Sequence, residues 1–322
     1  MNVRWINAAG KLEVKAASDL PSLVARDDGF LWVDLPEPLA DDLAIIGEAF
    51  GFHEAALKDA AERSLVPRVV YNEERAFFIL HTLDDEGHLL ELDSWLGPNF
   101  LVTTHGPLTP GVPLELALRE TEAVCRKLEN GELDLPTVDH LAFEIIAGIE
   151  ASLEDLLFRT AGKVGMLDRR AREGDTGAPE EFLEELFHVR HGLTTVRNRA
   201  AQSRQACHTL RVFEPSETGK ALFEALEQRF DRLTTLCDGE REFTQGVLDF
   251  FESITNTRMN AAMNRLAIIS FIVLPASAVI GFFGISSISY GETNLAHTLI
   301  FAALLLMLTL ATLKWTKSKG WW

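Results

Sequence analysis

Residues 266–285 read LAIISFIVLPASAVIGFFGI, 20 positions without a charged side chain. Residues 296–313 read AHTLIFAALLLMLTLATL, 18 more. A bilayer core of about 30 Å takes roughly 20 helical residues, so both runs are of membrane-spanning length. The segment between them, 286–295, carries no Lys or Arg, whereas Arg258 and Arg265 precede the first run and Lys314, Lys317 and Lys319 follow the second. Cationic flanks stay on the cytoplasmic side. The pattern predicts a two-helix hairpin in the cell's inner or plasma membrane, both termini cytoplasmic, the 286–295 loop outside and a basic tail over 314–322. Trp315, Trp321 and Trp322 sit where an aromatic belt lies.

Charge divides the 322-residue chain at the same place. The net charge is −18, yet residues 266–322 sum to +2 and residues 1–265 to −20. A body that acidic excludes a nucleic-acid surface, since phosphate is met by Lys and Arg. Hydrophobic residues at 47% exclude a disordered chain. Cys125, Cys207 and Cys237 form no CxxC pair, which fits a reducing compartment. Met1–Leu20 shows no apolar signal-peptide core.

Two helices cannot enclose an aqueous path, so a conduit needs several copies in a ring. Counting threes and fours along the first span gives one stripe: Asn260, Met263, Ala267, Ser270, Leu274, Ser277, Gly281, Gly284. It is polar or small except at Met263 and Leu274. Small residues also serve ordinary helix packing. On the pore reading, the two large apolar positions are constrictions that gate by shedding water.

From Ser216 to Ile285 the only proline is Pro275, and a helix of that length runs about 105 Å. Apolar residues recur along it at 3.5 spacing: Leu222, Leu226, Phe230, Leu233, Leu236, Phe243, Val247, Phe250, Ile254. Such a seam asks for partner helices, and no other segment of the chain supplies an evident one. The expectation is a stalk that self-associates and continues into the first span. Gly239 and Gly246 weaken the helix by about 1 kcal/mol each.

Upstream, amphipathic helices are expected from about Pro136 to Glu173 and from about Pro179 to Val212, with GDTGAP as the turn. Strand-like runs are Leu31–Leu35, Arg68–Tyr71, Ala76–Leu83, Leu89–Leu96 and Phe100–Thr104, and helical runs are Leu39–Phe50 and His53–Glu62. The organisation is thus an α/β domain over 1–112, a helical region and stalk over 113–265, then the spans.

No Walker-A, GxGxxG, GxSxG or HExxH pattern occurs. Transport, not enzymatic catalysis, is expected, and it is not driven by ATP. No resident cofactor is implied. Glu184, His188 and His191 share one helical face at metal-ligand spacing, a pattern surface helices also produce by chance. Asp84-Asp85-Glu86 precedes Gly87 in a hairpin turn. It reads either as a solvated turn or as a hard-cation site shared between subunits.

The run Met259-Asn260-Ala261-Ala262-Met263-Asn264-Arg265-Leu266, then Leu274-Pro275, then Gly281-Phe282-Phe283-Gly284-Ile285, resembles the CorA family of divalent-cation transporters. That family carries MNxxMxxL…P…GxxGMN into its first span. Phe52-His53-Glu54, Pro67-Arg68-Val69, Phe77-Phe78-Ile79-Leu80 and Gly97-Pro98-Asn99-Phe100 resemble its soluble domain. The resemblance implies an α+β membrane protein: an αβα cytoplasmic domain, a long stalk entering the first of two C-terminal spans, and a funnel-shaped homopentamer. It implies passive flux of hydrated magnesium, cobalt or nickel. By position, Asn260, Met263, Leu274 and Ser277 match pore-facing places in the family. The ZntB-type branch instead moves zinc with proton coupling, and a non-transporting membrane-anchored sensor is a third reading. The entrance signature ends Gly284-Ile285-Ser286 where the family has Asn, so its amide ring becomes a ring of shorter hydroxyls. Phe283 stands where the family has Tyr. Regulatory cation sites of the family use carboxylates between domain and stalk, for which Asp84, Asp85, Glu224 and Glu227 are the candidates. No soft-ligand ring of His or Cys lies on the stripe, which favours magnesium over zinc.

Overall fold

The computed structural model describes residues 1–7, 10–72, 75–108, 110–133, 137–214, 216–290 and 295–318. Side chains at 72, 272, 275, 276, 278, 279, 282–290, 295–298, 301, 313 and 316 lie outside that description. The chain divides into two compact units, Met1–Val247 and Leu248–Trp322.

The first unit is built on seven strands: β1 (Asn2–Asn7), β2 (Leu12–Lys15), β3 (Gly29–Leu35), β4 (Arg68–Asn72), β5 (Arg75–Leu83), β6 (Leu89–Gly97) and β7 (Phe100–His105). They form one sheet in the order β2-β1-β3-β7-β6-β5-β4. Among the described residues only β3 and β7 pair in parallel; every other pairing is antiparallel. The near-continuous burial along β5, β6 and β7 follows from cover on both faces.

One face packs on α1 (Leu20–Val24), α2 (Ala40–Phe50) and α3 (Glu54–Ala61). Trp5, Leu31, Val33, Phe77, Ile79, Trp95 and Val102 form the core there with Ile46 and Phe50. Gly51, at φ 67°, ends α2 in the left-handed conformation that glycine adopts without a Cβ penalty. The other face meets α4 (Leu114–Ala117) and the long pair α6 (Val138–Glu173) and α7 (Pro179–Phe213). Between these, α5 (Arg119–Glu129) packs along α6. The layers are therefore α, β and α.

The strands β3 to β7 and helices α2, α3, α6 and α7 fall within two or three residues of the sequence expectation. The strands β1 and β2 were not expected. They are short, and Asn2, Arg4 and Asn7 break the apolar run that would mark them.

Then comes α8, a single helix over Glu217–Tyr290. Ser216 caps it, its Oγ accepting from the Gly219 N–H at 3.1 Å. The helix does not break at Gly239 or Gly246, and a Cβ at either would meet nothing within 4 Å. It also continues beyond residue 285, the expected end. No Gly or Pro stands between Ser286 and Tyr290 to stop it, and Gly291 is the first.

The 3.5-spaced seam of α8 is two stripes rather than one. Phe223, Leu226, Phe230, Leu233, Cys237, Thr244 and Val247 are buried within the chain. The expectation that Leu226 and Leu233 await another subunit is corrected: both are fully buried within their own chain. Arg197 bonds Asp238 at 2.7 Å, Arg204 bonds Asp231 at 3.2 Å, and Arg211 lies 3.7 Å from Glu224. Each step of seven up α7 is matched by a step of seven down α8, the register of an antiparallel helix pair. On the other side Arg232 bonds Glu154 of α6 at 2.9 Å. The second stripe, Leu236, Phe243 and Phe250, is also spaced by seven and is 39%, 43% and 41% exposed.

Candidate ion pathway and acidic sites

In the second unit α8 runs beside α9 (Leu295–Ser318). Phe271 and Trp315 approach with ring centroids 6.0 Å apart. Phe271 lies 19 residues before the end of α8 and Trp315 lies 20 after the start of α9. Arms of equal length meeting at this contact run antiparallel, which brings the two basic flanks to the same end.

The expected pore stripe lies about a quarter of a turn from Phe271 at 100° per residue. Met263 is 59% and Leu274 68% exposed, and Asn260, Asn264, Ser270 and Ser277 are exposed too. A Cβ on Gly281 would meet nothing within 4 Å. Ala267 is half-buried. The stripe is thus largely free of α9 within one chain. So are Ile269, Val273 and Ile280 on the far side of the helix. Gly284, Ile285 and Ser286 belong to the backbone of α8, and their side chains lie outside the described residues.

Bare apolar surface is the main feature of this unit. Leu266, Ile269, Val273, Leu274 and Ile280 of α8 are exposed, as are Leu299, Ile300, Leu304, Leu306, Met307 and Leu310 of α9. Soluble monomers seldom leave contiguous apolar area of this extent in water. Among the described residues, no helix is long and apolar enough to cross a membrane. Both expected spans, 266–285 and 296–313, contain side chains that lie outside that set.

The four candidate regulatory carboxylates all have partners within the chain. Asp84 is buried in the β5–β6 turn, where its Oδ1 accepts from the N–H groups of Glu86 and His88 at 3.0 and 2.7 Å. Its Oδ2 meets His88 Nδ1 at 2.8 Å. Burial alone would raise its pKa, but the hydrogen bonds from His88 and Glu86 hold the carboxyl below its usual range. Asp85 pairs with Arg159 of α6 at 2.7 Å. Glu224 lies near Arg211, and Glu227 meets His208 Nδ1 at 3.2 Å and forms an ion pair with Arg211 at 3.2 Å. The Asp84 turn faces α6, whereas Glu224 and Glu227 face α7. Among the described residues no three His, Cys, Asp or Glu side chains converge to hold a metal. Glu184, His188 and His191 stand exposed on α7 and form no such group.

The cysteines are buried and unpaired. Burial raises the Cys207 thiol pKa, and burial together with Asp238 raises that of Cys237 to about 11. Neither offers a thiolate for a metal at neutral pH.

Sequence reading passed over a buried titratable cluster. Glu91 and Asp93 sit inside β6, and His81 sits opposite Glu91 on β5, all three buried. The alternation Glu91-Leu92-Asp93 within a strand covered on both faces was the available signal.

The same fold occurs in the complete structure of the CorA magnesium transporter from Methanocaldococcus jannaschii. The TM-score is 0.79 at 16% identity, covering 100% of this chain and 99% of that one. The full-length CmaX protein gives 0.74 at 18% identity, covering 97% of each. The ZntB cytoplasmic domain from Vibrio parahaemolyticus RIMD 2210633 gives 0.63 at 10% identity, covering 80% of this chain and 98% of that one. In sequence, the chain is 24% identical over 302 residues to YfjQ of Bacillus subtilis (strain 168), a protein whose name describes a metal ion transporter. That match covers 92% of this chain and 91% of YfjQ.

These likenesses define a shared fold, an αβα body followed by long helices. The family model described as CorA-like Mg2+ transporter protein matches residues 27–317, and the chain belongs to that family.

Proposed function

We propose that this chain carries divalent cations, magnesium first among them and cobalt or nickel as alternatives, across the inner or plasma membrane. It does so as a homopentamer, without ATP hydrolysis. The observation that carries the reading is the bare apolar surface of α8 and α9, from Leu266 to Leu310. Lipid is the solvent for which such a surface is suited. Arg258, Arg265, Lys314, Lys317 and Lys319 keep the flanks of both spans in the cytoplasm.

A ring of copies would place the stripe Asn260, Met263, Ala267, Ser270, Leu274, Ser277, Gly281, Gly284 around a common axis. Hydroxyls, amides and small residues give a hydrated ion room and hydrogen bonds along most of that path. Rings of Met263 and Leu274 would close it by excluding water. At the outer end, Gly284, Ile285 and Ser286 form the entrance. The hydroxyl of Ser286 meets the ion's hydration shell there with one donor and two lone pairs. Magnesium gives up its water reluctantly, so a pathway without carboxylate or imidazole ligands suits its hydrated form. The exposed stripe Leu236, Phe243 and Phe250 supplies contacts between copies above the membrane.

Cells deprived of their own magnesium uptake systems test the reading. Expression of the chain should restore growth at limiting magnesium. Failure to do so by a stably inserted protein would count against it.

A further inference from the structure

On the sheet face that packs on α1, α2 and α3, two carboxyl groups lie on one strand, and among the described residues no cation is bonded to either. Glu91 and Asp93 are two apart on β6 and therefore share a face. Asp93 is fully buried, and neither of its oxygens has a hydrogen-bond partner. Its register neighbours are Ile79 on β5 and Thr104 on β7, and the Thr104 hydroxyl is equally without a partner. Glu91 is buried beside it, and its oxygens accept the Ser64 N–H at 2.8 and 3.1 Å. His81 Nε2 donates to the Ser64 carbonyl at 2.8 Å and stands 3.8 Å from Glu91 Oε2. Gly106 makes room, for a Cβ there would meet Glu91 Cδ at 2.8 Å.

Residues 62–67 are therefore a strap laid over β6 and held through Ser64. The strap is held elsewhere as well. Arg63 donates to the Leu89 carbonyl at 3.3 Å, and Arg199 of α7 donates to the Leu65 carbonyl at 2.8 Å. The charged groups around the acid pair are few. Arg68 of β4 faces it but is paired with Asp59 of α3. His81 comes from β5, and Glu62 of the strap points to Lys58 on the surface.

We propose that Glu91 and Asp93 form a buried proton-binding site, one proton shared between the two carboxyl groups, and that this proton keeps the 62–67 strap fastened to the sheet. The Asp93 O–H donates to a Glu91 oxygen, which keeps lone pairs for the Ser64 N–H. When the proton leaves for solvent, two carboxylates remain side by side in a site where one charge is already costly. Burial first, and the Glu91 charge second, push the Asp93 carboxyl well above its ordinary range. The sign follows from linkage. The fastened strap holds the proton more tightly than the open one, where Asp93 returns to its ordinary value. Closure is therefore strongest below the ordinary carboxylate range and weakens as pH rises from there to the elevated value of Asp93. Arg199 carries the state of the strap to α7, the helix that holds α8 through its arginine ladder.

The test uses full-length protein in detergent and trypsin, which cuts after Arg63 once the strap lifts. As pH rises from the ordinary carboxylate range to the elevated value of Asp93, wild-type cleavage there should climb relative to Asp93→Asn, by up to about tenfold per pH unit for one proton. Asp93→Asn, neutral at every pH, should stay protected. Infrared spectra of aspartate-labelled wild type should show a protonated carboxyl while ordinary carboxylates are ionised. A ratio of wild-type to Asp93→Asn cleavage that stays flat with pH overturns the proposal. So does the absence of that infrared band, a result that needs no variant to fold.

Discussion

The two faces of α8 should separate under mutation into a folding face and an assembly face. Phe230 and Leu233 are fully buried against their own chain. Truncation there leaves a cavity, at a cost of about 3–5 kcal/mol for Phe230→Ala and about 2–5 kcal/mol for Leu233→Ala. Phe243 keeps 43% of its surface bare in the single chain. An aromatic side chain offers about 150–250 Å² in all. Covering the bare part at about 25 cal/mol per Å² is worth about 1.6–2.7 kcal/mol per copy, or about fifteen- to a hundredfold in each contact. Phe243→Ala should therefore dissociate the assembly at protein concentrations where wild type stays together, while its denaturation midpoint moves much less than that of Phe230→Ala. Native mass measurement in detergent reads the first property. Tryptophan fluorescence against denaturant reads the second, since Trp5, Trp32 and Trp95 are buried in the sheet unit. If Phe243→Ala unfolds as readily as Phe230→Ala and the oligomer keeps its mass, the division of the helix into two faces is wrong.

Met263→Gly or Leu274→Gly should raise resting cation leak severalfold by removing an apolar ring. The control Ile272→Ala, off the stripe by its position in the sequence, should not, and equal leak from all three would mean the helix is rotated. Ser286→Asn should lower the magnesium concentration giving half-maximal flux, because an amide reaches farther than a hydroxyl and adds an sp² oxygen. An unchanged value, with flux abolished instead by Ser287→Ala or Ser289→Ala, would move the entrance to those residues. Cysteines placed singly at 292 and 318, with the three native ones removed, should react with an impermeant thiol reagent on intact cells at 292 only. Reaction at 318 alone would invert the topology.

The strands β5, β6 and β7 were legible because a sheet covered on both faces draws heavily on apolar and β-branched residues. The same cover hid Glu91 and Asp93, since two acids within such a run barely disturb its pattern. Spacing also predicted the helix beyond Ser216 correctly, but not what its seam meets. A 3.5 repeat states that a helix wants company, and it is silent on whether the company is the same chain or another. The missing clue was electrostatic: Arg197, Arg204 and Arg211 recur by seven on α7 in step with Asp238, Asp231 and Glu224 on α8. Asp84 and Asp85 stand out in the sequence as a free acidic turn. In the fold, backbone N–H groups, His88 and Arg159 already occupy them, which spacing cannot reveal.

The central claim is that this chain by itself moves a divalent cation down its gradient. Purified protein in sealed vesicles loaded with a magnesium-sensitive dye tests it most directly, with no nucleotide present and an inward magnesium gradient imposed. The account predicts saturable magnesium entry above that of protein-free vesicles, increased by Leu274→Gly. Vesicles that hold correctly inserted oligomer yet admit magnesium no faster than protein-free ones, in wild type and in Leu274→Gly alike, would contradict it.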